Sequence, residues 1–113
     1  MKKVFVSYTL KDATISKEFL ANFQRYVKAQ GLCCYIDLLD NDYNEEGFQE
    51  KLVGILKNCD IFLVMDSPEY FDSKWAHKEF EVANELGLKI LKVASTELKN
   101  MQESNTDLLE LID

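Results

Sequence analysis

Proline occurs once and glycine four times in 113 residues. That scarcity argues against a linker-rich or disordered chain. Arginine is rarer still than lysine would suggest: Arg25 is the only one. With a net charge of −7, the chain lacks the clustered cations that general nucleic-acid binding requires. Any phosphate site must be local, made from a few lysines or backbone N–H groups. No window approaches about 18 uninterrupted apolar residues, so the sequence predicts no membrane span. The amino-terminal MKKVFVSYTLKD starts basic, but its apolar run is short and soon meets Lys11 and Asp12. That pattern argues against a signal peptide and points to the cytoplasm. The single histidine, His77, and the cysteines Cys33, Cys34 and Cys59 have no zinc-binding spacing. Their odd number, with two adjacent in a strand-like run, reads as reduced core thiols. GxGxxG and Walker loops are both missing, which leaves ordinary dinucleotide and nucleotide folds without support.

What is present is a core-forming chain. Hydrophobic residues make up 47% of the sequence, and the length suits one domain spanning residues 1–113. KKVFVSY (2–8) predicts a first strand. A helix follows over 12–30, with Ile15, Phe19, Leu20, Phe23, Tyr26 and Val27 on one face and Gly31 as its stop. LCCYID (32–37) predicts a second strand, and the acidic 38–47 a loop. A second helix covers 48–58, facing the core with Phe48, Leu52, Ile55 and Leu56. DIFLVMD (60–66) predicts a strand buried on both faces. SPEYFD (67–72) reads as a turn, SKWAHKEFEVANELG (73–87) as a third helix ending at Gly87, and LKILKVA (88–94) as a fourth strand. A short last helix over 104–112 would use Leu108, Leu109 and Ile112. This alternation implies an α/β fold with a parallel sheet and helices on both faces.

The third helix carries an anomaly. On a helical wheel Val82, Trp75, Leu86, Ala83, Ala76 and Phe80 share one arc, and Glu79 lands inside it, one turn after Trp75. A buried, unpaired carboxylate costs several kcal/mol or becomes protonated, so Glu79 needs a partner. Snorkelling to water, a backbone N–H and a ligand hydroxyl are the three options. Ligands in open α/β sheets bind beyond the carboxyl ends of the strands. That edge would carry Ser7, Tyr8, Asp37, Asp66, Ser67 and the first turn of the third helix. Glu79, about 9 Å into that helix at 1.5 Å per residue, stays close to it. Trp75 serves either as a core plug or as a wall beside the carboxylate. Asp37 either caps a turn or faces a ligand. Asp66 evokes a phospho-accepting aspartate, but the first strand ends in Ser7-Tyr8 instead of the acidic pair such a site needs. His77 falls on the polar face.

Taken in order, VFVSYTLKD, YID, EEGFQEKL, DIFLVMDSPEYFDSKWAHKEF and LKILKV resemble a TIR (Toll/interleukin-1 receptor) domain over roughly residues 3–93. SKWAHKE is the most specific piece. The resemblance implies a flavodoxin-like sheet of four to five strands. It implies either of two functions: cleavage of the nicotinamide–ribose bond of NAD, as in many bacterial members, or assembly through homotypic contacts alone. In the enzymatic members a glutamate one turn after a tryptophan is catalytic, a pattern that falls on Glu79 and Trp75. Ser7, Tyr8, Asp37 and Phe48 match positions that line the same cleft. Basic residues often follow the Ser-Tyr pair and help hold phosphates; here Thr9 and Leu10 intervene and Lys11 is the first candidate. NAD is then the substrate, with no separate cofactor and no metal. The implied partners are further TIR domains and, in bacterial immune signalling against phage, an effector that reads a nucleotide product. A rival adaptor function would use the loop 38–47 and the exposed faces of the second and third helices. The chain is short for the family, so the fifth strand is expected to be missing or reduced to part of 95–103.

Overall fold

Strands rich in β-branched and aromatic residues alternate along the chain with amphipathic helices, and a parallel sheet is the arrangement that buries both. The computed structural model describes residues 2–10, 15–36, 48–104 and 108; for Phe48, Gln49 and Trp75 it describes the backbone alone. The elements run β1 (Lys3–Ser7), α1 (Lys17–Ala29), β2 (Cys33–Tyr35), α2 (Phe48–Lys57), β3 (Ile61–Asp66), a 3-10 turn (Tyr70–Asp72), α3 (Lys74–Glu85), β4 (Lys89–Ala94) and α4 (Ser95–Ser104). The strands form one parallel sheet in the order β2-β1-β3-β4. This is the flavodoxin-like α/β architecture that the sequence implies.

Side-chain alternation along each strand splits the core in two. Val4, Val6, Ile61, Leu63 and Met65 face α1 and α4, where they meet Leu20, Phe23, Val27, Leu98 and Met101. Phe5, Phe62 and Val64 face α2 and α3, against Leu52, Leu56, Ala76 and Ala83. The period of two puts Ser7 on the same face as Phe5, toward α3. The chain moves from β1 to β2 on one side, then returns to place β3 on the other. The switch point of the sheet therefore lies between β1 and β3, where the carboxyl ends of two neighbouring strands open a crevice.

Local chemistry moves several boundaries from their sequence-predicted places. α1 starts at Lys17 because Ser16 caps it, its hydroxyl accepting from the Phe19 N–H at 3.1 Å. β2 is shorter than 32–37, since its ladder to β1 runs only from Lys3↔Cys33 to Phe5↔Tyr35. Gly31 and Gly87 end α1 and α3 at φ values of 80° and 74°, a conformation that other residues adopt at a cost. Residues 95–104 are neither irregular nor a strand. β4 passes directly into α4, which buries Leu98 and Met101 one turn apart. Among the described residues the sheet has four strands. The expected helix over 104–112 lies outside the described residues apart from Ser104 and Leu108. The Leu108 N–H donates to Gln30 Oε1 at 2.6 Å, which ties that residue to the end of α1.

Two further expectations are corrected. Leu86 is 37% exposed, because it caps α3 beyond the last turn that packs on the sheet. The three cysteines form no disulfide with one another, and Cys34 and Cys59 are buried. Cys33 is only half-buried, as the first residue of an edge strand.

Candidate active site

Glu79 is 5% exposed, and it does not snorkel. Ser73 caps α3 by accepting from the Ala76 N–H, which fixes where the helix starts and so where the sixth residue beyond the cap points. That residue is Glu79, on the face that packs toward β1. The Ser7 hydroxyl, at the carboxyl end of β1 and with no exposed surface, donates to Glu79 Oε1 at 3.0 Å. The need for a partner, legible in the wheel, is met by a side chain from the neighbouring strand.

A third residue completes the set. Tyr70, in the 3-10 turn between β3 and α3, is also fully buried, with its phenol oxygen 2.5 Å from Ser7 Oγ. Ser7 has one proton and directs it at Glu79, so the phenol is the donor in this contact. The polarity runs from Tyr70 O–H to Ser7 Oγ–H to the Glu79 carboxylate. Burial pushes the Tyr70 phenol well above its ordinary value. The Ser7 contact opposes that rise, while the negative charges of Glu79 and Asp66 add to it. The phenol stays protonated at every working pH, which keeps the direction of donation fixed. Phe71 packs edge-on against the Tyr70 ring at 4.9 Å and 90°, and Phe80 packs on Phe71 at 5.6 Å.

Ser67 follows β3 at the same edge. Its hydroxyl is buried and makes no hydrogen bond among the described residues, while its carbonyl accepts from the Tyr70 N–H at 3.1 Å. Asp66, the last residue of β3, is exposed. Ser7, Ser67, Tyr70 and Glu79 therefore converge on the carboxyl edge at the β1–β3 switch point. A cavity of about 720 Å³ lies elsewhere. Lys3, Lys28, Cys33, Tyr35, Ile55 and Cys59 line it, at the amino ends of the strands. Lys3 and Ser7 stand at opposite ends of β1, about 13 Å apart at 3.3 Å per residue. The large cavity takes no part in the Glu79 site.

The TIR domain family model matches residues 4–105, most of the chain. The chain belongs to the TIR domain family. Among solved structures, this TIR domain is similar to that of the Toll-related receptor TRR-2 from Hydra magnipapillata. The two share 15% identity at a TM-score of 0.66, over 97% of this chain and 98% of that one. It is also similar to the Clostridium botulinum CMP N-glycosidase BcmB, with 20% identity and a TM-score of 0.59, over 91% of this chain and 82% of that one. At these identities the likeness establishes the fold. No curated protein matches the sequence.

Within the TIR domain, the sequence-predicted site residues divide into three groups. Ser7 and Glu79 are brought into direct contact, and Ser67 shares their edge. Ser7 turns its hydroxyl to the Glu79 carboxylate. Tyr8 is half-buried beside them in sequence. Trp75 and Glu79 are one turn apart on α3, and Phe48 opens α2, but the side chains of Trp75 and Phe48 are not described. Lys11, Asp37 and the loop 38–47 lie outside the described residues. His77 is exposed as expected and lies 2.9 Å from Glu81. Tyr70 is the member of this buried set that the sequence reading misses, because SPEYFD reads only as a turn. The available signal was an aromatic pair in an otherwise polar connection, leading straight into the helix that carries the unexplained acid.

Proposed function

We propose that this TIR domain cleaves the nicotinamide–ribose bond of NAD, with Glu79 as the catalytic carboxylate. One observation carries the reading: a nearly buried acid at the switch-point edge of the sheet, held by a hydroxyl from the adjoining strand. Burying a charge there works against stability, and buried ionisable groups in such settings cluster at functional sites.

The chemistry suits a single acid. The C1′–N bond breaks with its electron pair going to the pyridinium nitrogen, so nicotinamide leaves neutral and needs no proton. Positive charge grows on the ribose, as in other glycoside cleavages. A carboxylate that accepts from the ribose hydroxyls orients the sugar and places negative charge beside that developing cation. A carboxylate has about four acceptor positions, so the Ser7 bond does not exhaust it. Water, the substrate's own adenine or another nucleophile then takes C1′, and with water one proton is released. A cyclic or conjugated product would supply a signal to a partner effector. The CMP N-glycosidase named above adds a neighbouring alternative, a pyrimidine nucleotide. Cytosine, unlike the nicotinamide cation, is an uncharged base in its nucleotide and calls for a proton as it leaves, a demand that NAD does not make of the single acid Glu79.

The test is incubation of the purified chain with NAD, and separately with CMP, followed by chromatography for free nicotinamide or cytosine. Nicotinamide release that is lost in Glu79→Gln supports the reading. Removing such an electrostatic stabiliser costs on the order of 3–4 kcal/mol, a fall of about 10²–10³-fold in rate. Cytosine release without nicotinamide release moves the substrate to the pyrimidine nucleotides.

A second reading has its own observation. Glu79 has a hydrogen-bond partner within the fold, and the 720 Å³ cavity opens at the other end of the sheet. TIR domains commonly self-associate, and a non-enzymatic assembly module would need no open cleft beside Glu79. Absence of cleavage by the parent chain, even at high concentration and when forcibly clustered, selects this reading.

A further inference from the structure

We infer that Tyr70 is a positioning residue for Glu79, acting through the Ser7 hydroxyl as a one-way hydrogen-bond relay. The inference deepens the proposed function and rests on it for the role of Glu79. It stands on three side chains with no more than 5% exposure and two contacts, of 2.5 Å and 3.0 Å. A phenylalanine would fill the Tyr70 site without burying a hydroxyl, so packing alone does not account for the phenol. The phenol oxygen lies within hydrogen-bond reach of a residue whose own proton is turned to the acid. Phe71, edge-on to the Tyr70 ring, restrains the phenol, as a supporting group must be restrained to hold another in place.

The relay does two things for the carboxylate. A Ser7 hydroxyl that accepts from Tyr70 is polarised and becomes a stronger donor to Glu79. A donor to the charged form holds the carboxyl ionised to lower pH. It also fixes the rotamer of Ser7, which otherwise has three staggered choices, and through Ser7 the orientation of the carboxylate plane. Among the described residues, Tyr70 on the 3-10 turn interacts electrostatically with both Glu79 and Asp66 at the end of β3. Tyr70 remains neutral, and Asp66 is unchanged by the substitutions below.

The experiment compares the full chain with Tyr70→Phe, Ser7→Ala and the double variant. It uses ¹³C carboxyl NMR titration, with the Glu79 resonance assigned by its loss in Glu79→Gln. Tyr70→Phe is expected to raise the Glu79 titration midpoint by about one unit. In the cleavage assay kcat falls roughly tenfold while KM stays within about twofold, and the acid limb of kcat moves to higher pH by the same unit. Ser7→Ala reproduces both effects, and adding Tyr70→Phe to Ser7→Ala changes little, because the relay is already cut. A tyrosine that serves only as packing would lower the melting temperature and leave the titration and kcat alone. An unchanged Glu79 titration in Tyr70→Phe, or single effects that add in the double variant, overturns the relay. A parent chain that releases no nicotinamide overturns the NAD reading instead, and the carboxyl titration still decides the relay. If Tyr70→Phe fails to fold, the Ser7→Ala titration settles whether Glu79 depends on the donor.

Discussion

Ser7 and Glu79 lie 72 residues apart in sequence and 3.0 Å apart in space, the first donating to the second in a buried setting. The contact joins the central strand to the helix that covers it. It also gives the protein two separable properties, the stability of the fold and the state of one acid.

Ser7→Ala removes the donor to Glu79 and the acceptor of Tyr70 together. Two buried polar groups then lose a partner, and leaving one unsatisfied costs about 1–3 kcal/mol. Urea unfolding of this variant is expected to show a loss in that range or above it. A change below about 0.5 kcal/mol, no more than an ordinary surface substitution gives, would contradict the buried contact.

Glu79→Gln should behave in the opposite way. The amide keeps an oxygen to accept from Ser7, and a buried neutral amide is cheaper than a buried carboxylate. The expected result is unchanged or higher stability, by on the order of 1 kcal/mol, together with loss of the proposed cleavage. Thermal unfolding measures it. A marked loss of stability would mean that the charge serves the fold.

Ser67 offers a simpler case. Its hydroxyl is buried without a hydrogen bond among the described residues, so deleting it removes a desolvation penalty and none of the described interactions. Ser67→Ala is expected to raise stability by up to about 1 kcal/mol in chemical denaturation. If the variant also cleaves NAD more slowly, the hydroxyl is reserved for the ligand. A loss of more than about 1 kcal/mol would show that the hydroxyl has a partner within the fold.

Cys59 gives a pH signature. Burial pushes its thiol from 9.0 up to about 11, with Lys3 pulling it down in part and Asp60 adding to the rise. The folded state keeps a proton that the unfolded chain has already lost. The stabilising contribution is therefore intact below pH 9 and is lost as the pH climbs from 9 to about 11. Urea midpoints for the parent should fall more steeply than those for Cys59→Ala between pH 9 and 10. Above pH 10 the raised Tyr70 phenol adds a loss of the same sign. Parallel curves for the two proteins would contradict this account.

How far the sequence could be read depends on the range of the forces involved. Strand and helix periodicity is local, and it placed β1, β3, β4 and α3 within a few residues. The glycines ending α1 and α3 were legible because a positive φ leaves few alternatives. α4 was not, since STELKNMQES carries only a weak apolar face and becomes a helix by burying Leu98 and Met101 under the sheet. Glu79 stood out because an acid breaks the stripe of α3. That it needs a partner followed from physical chemistry, but which partner did not. Ser7 reaches it only once β1, β3 and α3 are assembled, and a lone Ser-Tyr pair carries no mark of a contact so distant. Tyr70 was hidden for the same reason: its ring is local to a turn, while its hydroxyl belongs to the far side of the sheet crevice.

The sheet order has a consequence for synthesis and refolding. β1 is translated first yet takes both of its neighbours from chain made later, so it has no hairpin to wait in. Ordering so many distant pairings makes formation slow relative to helical proteins of this size. Glu79, the serine that donates to it and the tyrosine that donates to that serine come from a late helix, the opening strand and a mid-chain turn, and can meet only near the end of that process. A nascent or partly refolded chain thus leaves this carboxylate without its buried partner until the architecture around it has closed.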